Sequence, residues 1–358
     1  MRILPALASA VVCSGPTLLA GLALAATPQA PAATGSVPDL ALERSGLEPE
    51  VHVEVLRVID GDTLEVELDG APTTLRLLSV DTEEKITGRV SDSTTKPETV
   101  FGEQTAQWAR AFFAELGRPA RVGLAFPEGR RLDAFGRLLA HVLLPDGRDF
   151  NLLLVAEGRS PYFDKYGHSL VAHAAFVRAQ AAARAAELGI WNPATNRAKT
   201  PGAPSVLRPY ERLLPWWEAR AQAIDGFRAL AGRGEDAPVS AEDAAALRRA
   251  FERCRAAPEQ RITVFTTVER FFDEADGSLT ALLYPGGPES ALRAAIPAAE
   301  RAALEPLLRA STEEFRQNYL WVTGRIERNA RGFVLTGATR TDWRTAEPEF
   351  PARASAPR

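Results

Sequence analysis

The sequence predicts a mainly β fold with helices: a five-stranded OB-type barrel carrying three helices, then a helical linker, then a second, smaller β-rich and OB-like domain. Three observations predict it. Alternating apolar and polar residues run from Val51 to Leu78, broken twice by Asp-Gly turns. A helix, two strands and two more helices follow in that order. From Arg261 onward the succession of strands, a helix and strands returns on a smaller scale.

Met1-Arg2 supplies one positive charge before an apolar run from Ile3 to about Ala25 that closes on small residues, the pattern of a signal peptide over residues 1–26. A membrane anchor is the competing reading, and Ser9, Ser14, Gly15, Pro16 and Thr17 weaken it. The expected location is extracytoplasmic, with no stable membrane insertion after cleavage. Residues 27–50 are rich in Pro, Ala, Gly and Ser without periodicity and predict a flexible linker.

The barrel domain is placed at residues 51–195. Its first strands are expected at His52–Ile59, Thr63–Leu68 and Thr73–Leu78. Ala106, Ala109, Phe112 and Phe113 at helical spacing, stopped by Gly117, predict a helix over Thr105–Leu116. Ala120–Phe126 and Leu138–Leu144 complete the strands; Phe150–Ala156 and Ser169–Leu188 read as helices, closed by Gly189-Ile190-Trp191. Residues 196–258 form the helical connecting region, with helices at Trp216–Leu230 and Ala241–Ala256. The second domain spans 259–345. Its strands are expected at Ile262–Phe272, Ser278–Tyr284, Tyr319–Ile326 and Gly332–Gly337, around a helix at Ala298–Phe315. Residues 346–358 predict a disordered tail.

The chain is slightly acidic, with 42 Lys and Arg against 46 Asp and Glu, so it lacks the basic field of a tight nucleic-acid binder. Any such binding is expected to be weak, metal-assisted or confined to one cleft. Removal of the leader takes Cys13 and leaves Cys254 alone, which excludes an intramolecular disulfide in the mature chain. Cys254 reads as a small buried thiol on a helix. A monomer is expected.

Ile59-Asp60-Gly61-Asp62-Thr63 puts two carboxylates in one hairpin turn, which alone is ordinary turn chemistry. Leu75-Arg76-Leu77 places an arginine inside an apolar strand, and Asp81-Thr82-Glu83-Glu84 delivers three carboxylates where that strand ends. Alternation with its leucines leaves open an Arg76 that merely faces outward. Asp133-Ala134-Phe135-Gly136-Arg137 brings a second arginine to the start of a strand, with Gly136 permitting close backbone approach. The histidines are dispersed. His168 and His173 are five residues apart, which misses a shared helical face, so no His/Cys metal set is expected.

Taken together these pieces resemble the staphylococcal nuclease (thermonuclease) family, over about Val51 to Thr195. The family's marks are an Asp-Gly-Asp-Thr turn, an Arg-Leu strand leading to Asp-Thr-x-Glu, and Asp-x-x-Gly-Arg before a strand. The resemblance implies a Ca2+-dependent nuclease acting on DNA, RNA or both and leaving 3′-phosphates. It assigns Asp62, Asp81 and the Thr82 carbonyl to Ca2+, Glu84 to the general base or water-orienting role, and Arg76 and Arg137 to the phosphate. Hard oxygen ligands suit the cation, and forked guanidinium donors suit the charge that builds on equatorial phosphate oxygens. The rival reading is a catalytically weakened nucleic-acid or partner-binding module on the same barrel.

Two departures stand out. Glu83 occupies the family's usual proline position and is expected to loosen the loop and crowd Glu84. Ala134-Phe135 replaces a Lys-Tyr pair. Phe135, Tyr162, Phe163 and Tyr166 are the candidate substrate-binding aromatics; for the last three, packing in the loop before the last barrel helix is the equal alternative.

Overall fold

The structure, a computed structural model, describes residues 45–87, 93, 95–127, 132–133, 135–197, 206–312 and 318–346. The expected leader, most of the 27–50 linker, Ala134 and the tail beyond Ala346 lie outside the described residues.

Strands β1 (Val51–Asp60), β2 (Thr63–Leu68) and β3 (Ala71–Leu77) form the two expected hairpins. Helix α1 (Val100–Leu116) then leads to β4 (Ala120–Ala125) and β5 (Leu138–Leu143). The barrel closes in the order β1-β2-β3-β5-β4, with β3 parallel to β5 and β4 antiparallel to both β5 and β1. Period-two alternation fills its interior: Val53, Leu64, Val66, Leu75, Leu77 and Val122 are all buried. Helices α2 (Phe150–Ala156) and α3 (His173–Ala185) follow, and Phe113 of α1 packs on Phe150 of α2 with ring centroids 4.7 Å apart.

Helix α1 begins five residues before the apolar spacing indicates, because Thr99 caps it by accepting from Gly102 N (2.9 Å). Conversely α3 starts four residues late, since the chain through Ser169 is held in a turn by the Tyr162 hydroxyl, which accepts from Ser169 N (2.9 Å).

Beyond the barrel lie α4 (Tyr210–Leu230), β6 (Val239–Ser240), α5 (Ala244–Ala256), β7 (Ile262–Thr266), β8 (Arg270–Asp273), β9 (Leu279–Tyr284), β10 (Leu292–Ile296), α6 (Ala298–Thr312), β11 (Leu320–Asn329), β12 (Gly332–Thr336) and β13 (Trp343–Thr345). The expected strand Ile262–Phe272 is two strands: the chain breaks at residues 267–269, so that β7 pairs with β11 while β8 pairs with β9. The resulting neighbours, β8-β9-β10-β12-β11-β7, repeat the order of the first barrel, with β10 parallel to β12 as β3 is to β5. Short strands β6 and β13 add to β7 and β11. Cys254 is buried on α5, as its helical context predicts.

Helix α4 joins the halves. Its Trp217 meets Phe163 edge-on (4.8 Å), its Phe227 stacks on Phe265 of β7 (4.9 Å), and Arg220 lies over the Tyr319 ring (4.4 Å). No helix among the described residues is long and apolar enough to cross a membrane.

Candidate active site

The site is built where β3 runs out. Ser79 takes a left-handed φ of +61°, a conformation that costs a non-glycine residue about 1–2 kcal/mol, and so turns the chain sharply off the barrel. Buried Asn151 of α2 secures this exit by donating to the carbonyls of Leu78 (2.9 Å) and Ala140 (3.0 Å). Phe163 N donates to the Ser79 carbonyl (2.9 Å), and Asp81 N donates to Ser160 Oγ (2.8 Å). Residues 79–82 are therefore fixed from both sides.

The Asp60–Thr63 turn docks onto this exit. Leu77 N donates to the Asp62 carbonyl (3.0 Å), and Thr82 N donates to Asp62 Oδ2 (2.9 Å). Gly61 is needed here, because a Cβ would stand 2.8 Å from Thr105 Cγ2 and 2.9 Å from Thr82 Cγ2. Gly102 serves the same end on α1: a Cβ there would come 2.1 Å from the Glu84 carbonyl oxygen. With both clefts open, Thr99 N reaches that carbonyl (3.0 Å), and Glu84 lies against the N-terminus of α1.

Asp62, Arg76, Asp81, Thr82 and Glu84, the residues that the family resemblance singles out, thus lie together in space. Arg76 leaves the barrel wall but is buried rather than solvated. Its Nη1 donates to the carbonyls of Leu77 (2.9 Å) and Val80 (2.8 Å), while Nη2 donates to Asp81 Oδ1 (2.8 Å) and lies 3.2 Å from Asp62 Oδ2. Burial opposes the charge on Arg76, yet Asp62, Asp81 and Glu84 outweigh it and raise the guanidinium above its ordinary pKa.

Two cations in this cluster escaped the sequence reading. Lys96 Nζ lies 3.0 Å from Asp81 Oδ1 and 2.5 Å from Glu84 Oε1. Arg208, from the segment leading into α4, pairs through Nη2 with Asp81 Oδ2 and donates through Nη1 to the Asp81 carbonyl (3.0 Å) and through Nε to that of Thr95 (2.8 Å). Burial alone would raise the Asp81 carboxyl; Arg208, Lys96 and Arg76 instead hold it far below the carboxylate range. Partial burial first, and then the neighbouring Asp62 charge, push Asp60 up to about 6.

Glu83 corrects an expectation. Far from loosening the loop, it is 2% exposed and accepts from Thr99 Oγ1 (2.5 Å), Asn196 Nδ2 (2.6 Å) and the Tyr210 hydroxyl (3.1 Å). A proline could make none of these bonds, so the extra carboxylate anchors the loop to α1 and α4.

Arg137 stands apart from the buried cluster. In the β3–β5 register Arg76 faces Leu139, so Arg137, two residues earlier, shares the outer face of the sheet with Arg76. Its Nε donates to Asp133 Oδ2 (2.7 Å), and Asp133 Oδ1 accepts from the backbone of Phe135 and Arg137. Phe135 is 84% exposed beside it.

Of the other aromatics, Tyr162 is a core residue and not a substrate contact. It is 2% exposed, its ring stacks on Phe176 (5.0 Å), and its hydroxyl is taken up by Ser169 N and His173 Nδ1. Phe163 is half-buried against Trp217. Tyr166 is 66% exposed and meets Phe163 edge-on (5.6 Å).

The sequence model for staphylococcal nuclease homologues matches residues 74–193. Residues 74–193 are a staphylococcal nuclease homologue domain. The match begins inside β3, although β1, β2 and the Asp60–Thr63 turn are integral to the closed barrel. Among curated relatives, the endonuclease YncB of Bacillus subtilis (strain 168) is 36% identical over 108 residues, 30% of this chain and 46% of that protein. The SPbeta prophage-derived endonuclease YokF of the same organism is 30% identical over 142 residues, 40% of this chain and 44% of that one. Protein ParB of Escherichia coli is 26% identical over 156 residues, covering 40% and 73%. The chain spans about half the length of the first two.

The donor set of the nuclease domain fits a hard divalent cation. Asp62, Asp81 and Glu84 present only oxygen, and Asp81 and Glu84 already converge on a positive charge, the Lys96 ammonium. Lys96 and Arg208 lacked a local signal, because each acquires its meaning from carboxylates it meets only on folding, Asp81 lying 127 residues away in the case of Arg208.

Proposed function

We propose that this chain is a Ca2+-dependent nuclease working outside the cytoplasm, hydrolysing phosphodiester bonds of DNA, RNA or both and leaving 3′-phosphates. The observation that carries the reading is the gathering of Asp62, Asp81 and Glu84 around side-chain cations beside a buried Arg76. Asp62, Asp81 and the Thr82 carbonyl are the assigned Ca2+ ligands; the ion, when bound, would neutralise charge on the phosphate. Lys96, paired with Asp81 and Glu84 when no ion is bound, would have to yield these carboxylates to it. Arg76 and Arg137 grip the phosphate oxygens, Arg137 steadied by Asp133. Glu84 takes the proton of the attacking water as its oxygen bonds to phosphorus and the bond to the 5′-oxygen breaks. Contacts confined to the phosphates would leave the sugar unread, so that either nucleic acid could serve. Tyr166 and Phe135 remain exposed for stacking on a base.

Digestion of single-stranded DNA and of RNA by the mature chain, with Ca2+ and with a chelator, tests this. Cleavage that requires Ca2+ and is lost in Arg76→Ala is expected; cleavage indifferent to either would overturn the assignment. Labelling of product ends before and after phosphatase treatment checks the 3′-phosphate. Recovery of a chain beginning after Ala25 or Ala26 from the extracytoplasmic fraction checks the location.

A second reading, a binding module with weakened turnover, is favoured by one observation: Lys96 and Arg208 both occupy Asp81. Nucleic-acid binding without Ca2+-dependent cleavage selects it.

A further inference from the structure

Away from the barrel cluster, the turn before α3 and the middle of α4 bring a second set of donors together. His168 Nε2 lies 3.2 Å from Glu218 Oε2 and 3.9 Å from Asp164 Oδ2, and one ligand atom from each of the three residues falls within 4.8 Å of the others. The five-residue spacing of His168 and His173 ruled out a helical metal pair, but that rule applies to residues on one helix. His168 precedes α3, and its partners come from Asp164 in the same turn and from Glu218, fifty residues on.

We propose that Asp164, His168 and Glu218 form a second cation site, distinct from the candidate Ca2+ site, that takes a divalent first-row transition metal such as Zn2+. Ligands held about 2.0–2.2 Å from one such ion stand about 3–4 Å apart, which matches both distances from His168 Nε2. One imidazole nitrogen with two carboxylates suits this class better than the all-oxygen shell of Ca2+.

Three further features support the assignment. Asp225 Oδ2 lies 2.6 Å from His168 Nδ1, the outer carboxylate partner that orients a ligating imidazole so that Nε2 faces the ion. Charge is out of balance at the inner position. Arg228 Nη1 pairs with Asp225 (3.0 Å) and donates to the His168 carbonyl (3.0 Å), whereas among the described ion pairs Asp164 and Glu218 share only the His168 ring. The Asp164 side chain is about nine-tenths buried at this position. Lastly, ions can reach the site. Asp164 and Glu218 border a cleft of about 400 Å³, and His168 and Asp225 border another of about 360 Å³. Because its ligands come from the barrel's last turn and from α4, a bound ion would fasten one to the other.

The experiment is calorimetric titration of the full chain with Zn2+ after chelator treatment, in buffer holding excess Ca2+. One equivalent of Zn2+ is expected in wild type and in Asp62→Asn, which disables only the barrel site. Glu218→Gln, at a half-exposed position, and His168→Asn are expected to weaken it at least about a hundredfold, and Asp225→Asn about ten- to a hundredfold. Cys254→Ser is expected to change nothing. Melting temperatures without metal establish that each variant is folded, and Zn2+ should raise the melting temperature of wild type but not of Glu218→Gln. Absence of a bound equivalent in wild type, or equal affinity in Glu218→Gln and His168→Asn, overturns the proposal and leaves the His168 imidazolium as the cation that these carboxylates hold.

Discussion

The two β domains share a strand order but differ in what stands between the third strand and the helix. In the first, residues 78–99 intervene between β3 and α1 and carry Asp81, Glu83, Glu84 and Lys96. In the second, Pro297 alone separates β10 from α6. Arg293 occupies the register position of Arg76, central in the parallel strand pair, yet it has no inserted carboxylates to meet and instead donates to the Arg331 carbonyl (2.6 Å). The acidic hairpin also differs. Asp62 is buried and accepts from Thr82 N of the insert, whereas Asp273 and Asp276 of the second domain are exposed, the first paired with Arg301. The pairing scheme is thus a scaffold, and chemistry depends on whether a segment returns to cover the charges.

The sharpest break of this comparison is Arg76→Ala against Arg293→Ala. Loss of Arg76 is expected to lower nuclease turnover about a thousandfold, as removal of a preorganised donor to developing charge does; single-turnover cleavage rates check it. A loss below tenfold would mean that the buried arginine serves only the fold.

Next comes Arg208→Ala. It strands Asp81 without its most buried partner and unfastens the α4 segment, so unfolding in urea should show a loss of about 3–5 kcal/mol. A loss under about 1 kcal/mol would place Arg208 outside the structural core of the site.

Lys96→Met removes the ammonium between Asp81 and Glu84 and should strengthen Ca2+ binding about tenfold, about 1.4 kcal/mol, by calorimetry. Weaker Ca2+ binding would show that Lys96 organises the carboxylates instead of competing for them.

Asp133→Asn probes the anchor of Arg137. Burial opposes the shift, but bonds from the Arg137 backbone and side chain hold Asp133 below the ordinary carboxylate pKa. Its contribution to stability is therefore present above the unfolded value near 4 and is lost as pH falls through the folded one. The wild type's advantage over Asp133→Asn should shrink with acid in melts between about pH 5 and 2, and a gap that widens with acid contradicts the pairing. The smallest effect is expected in the second domain. Arg293→Ala should leave both turnover and stability within about 0.5 kcal/mol of wild type.

The sequence by itself determined the barrel, its hairpins and the cluster of Asp62, Arg76, Asp81 and Glu84. The barrel and its hairpins follow from period-two alternation and Asp-Gly turns, signals that local chemistry writes within about ten residues, whereas the cluster was legible through the family resemblance of three short motifs taken together. Tertiary structure alone decided the rest. It buried Tyr162 on Phe176, turned Glu83 from an expected disturbance into an anchor, and broke the strand at residues 267–269 so that one run of chain serves two neighbours. It also carried Arg208 to Asp81 and Glu218 to His168, across 127 and 50 residues. No periodicity encodes such encounters, because a charge shows its partner only when packing has removed the water that would otherwise solvate it.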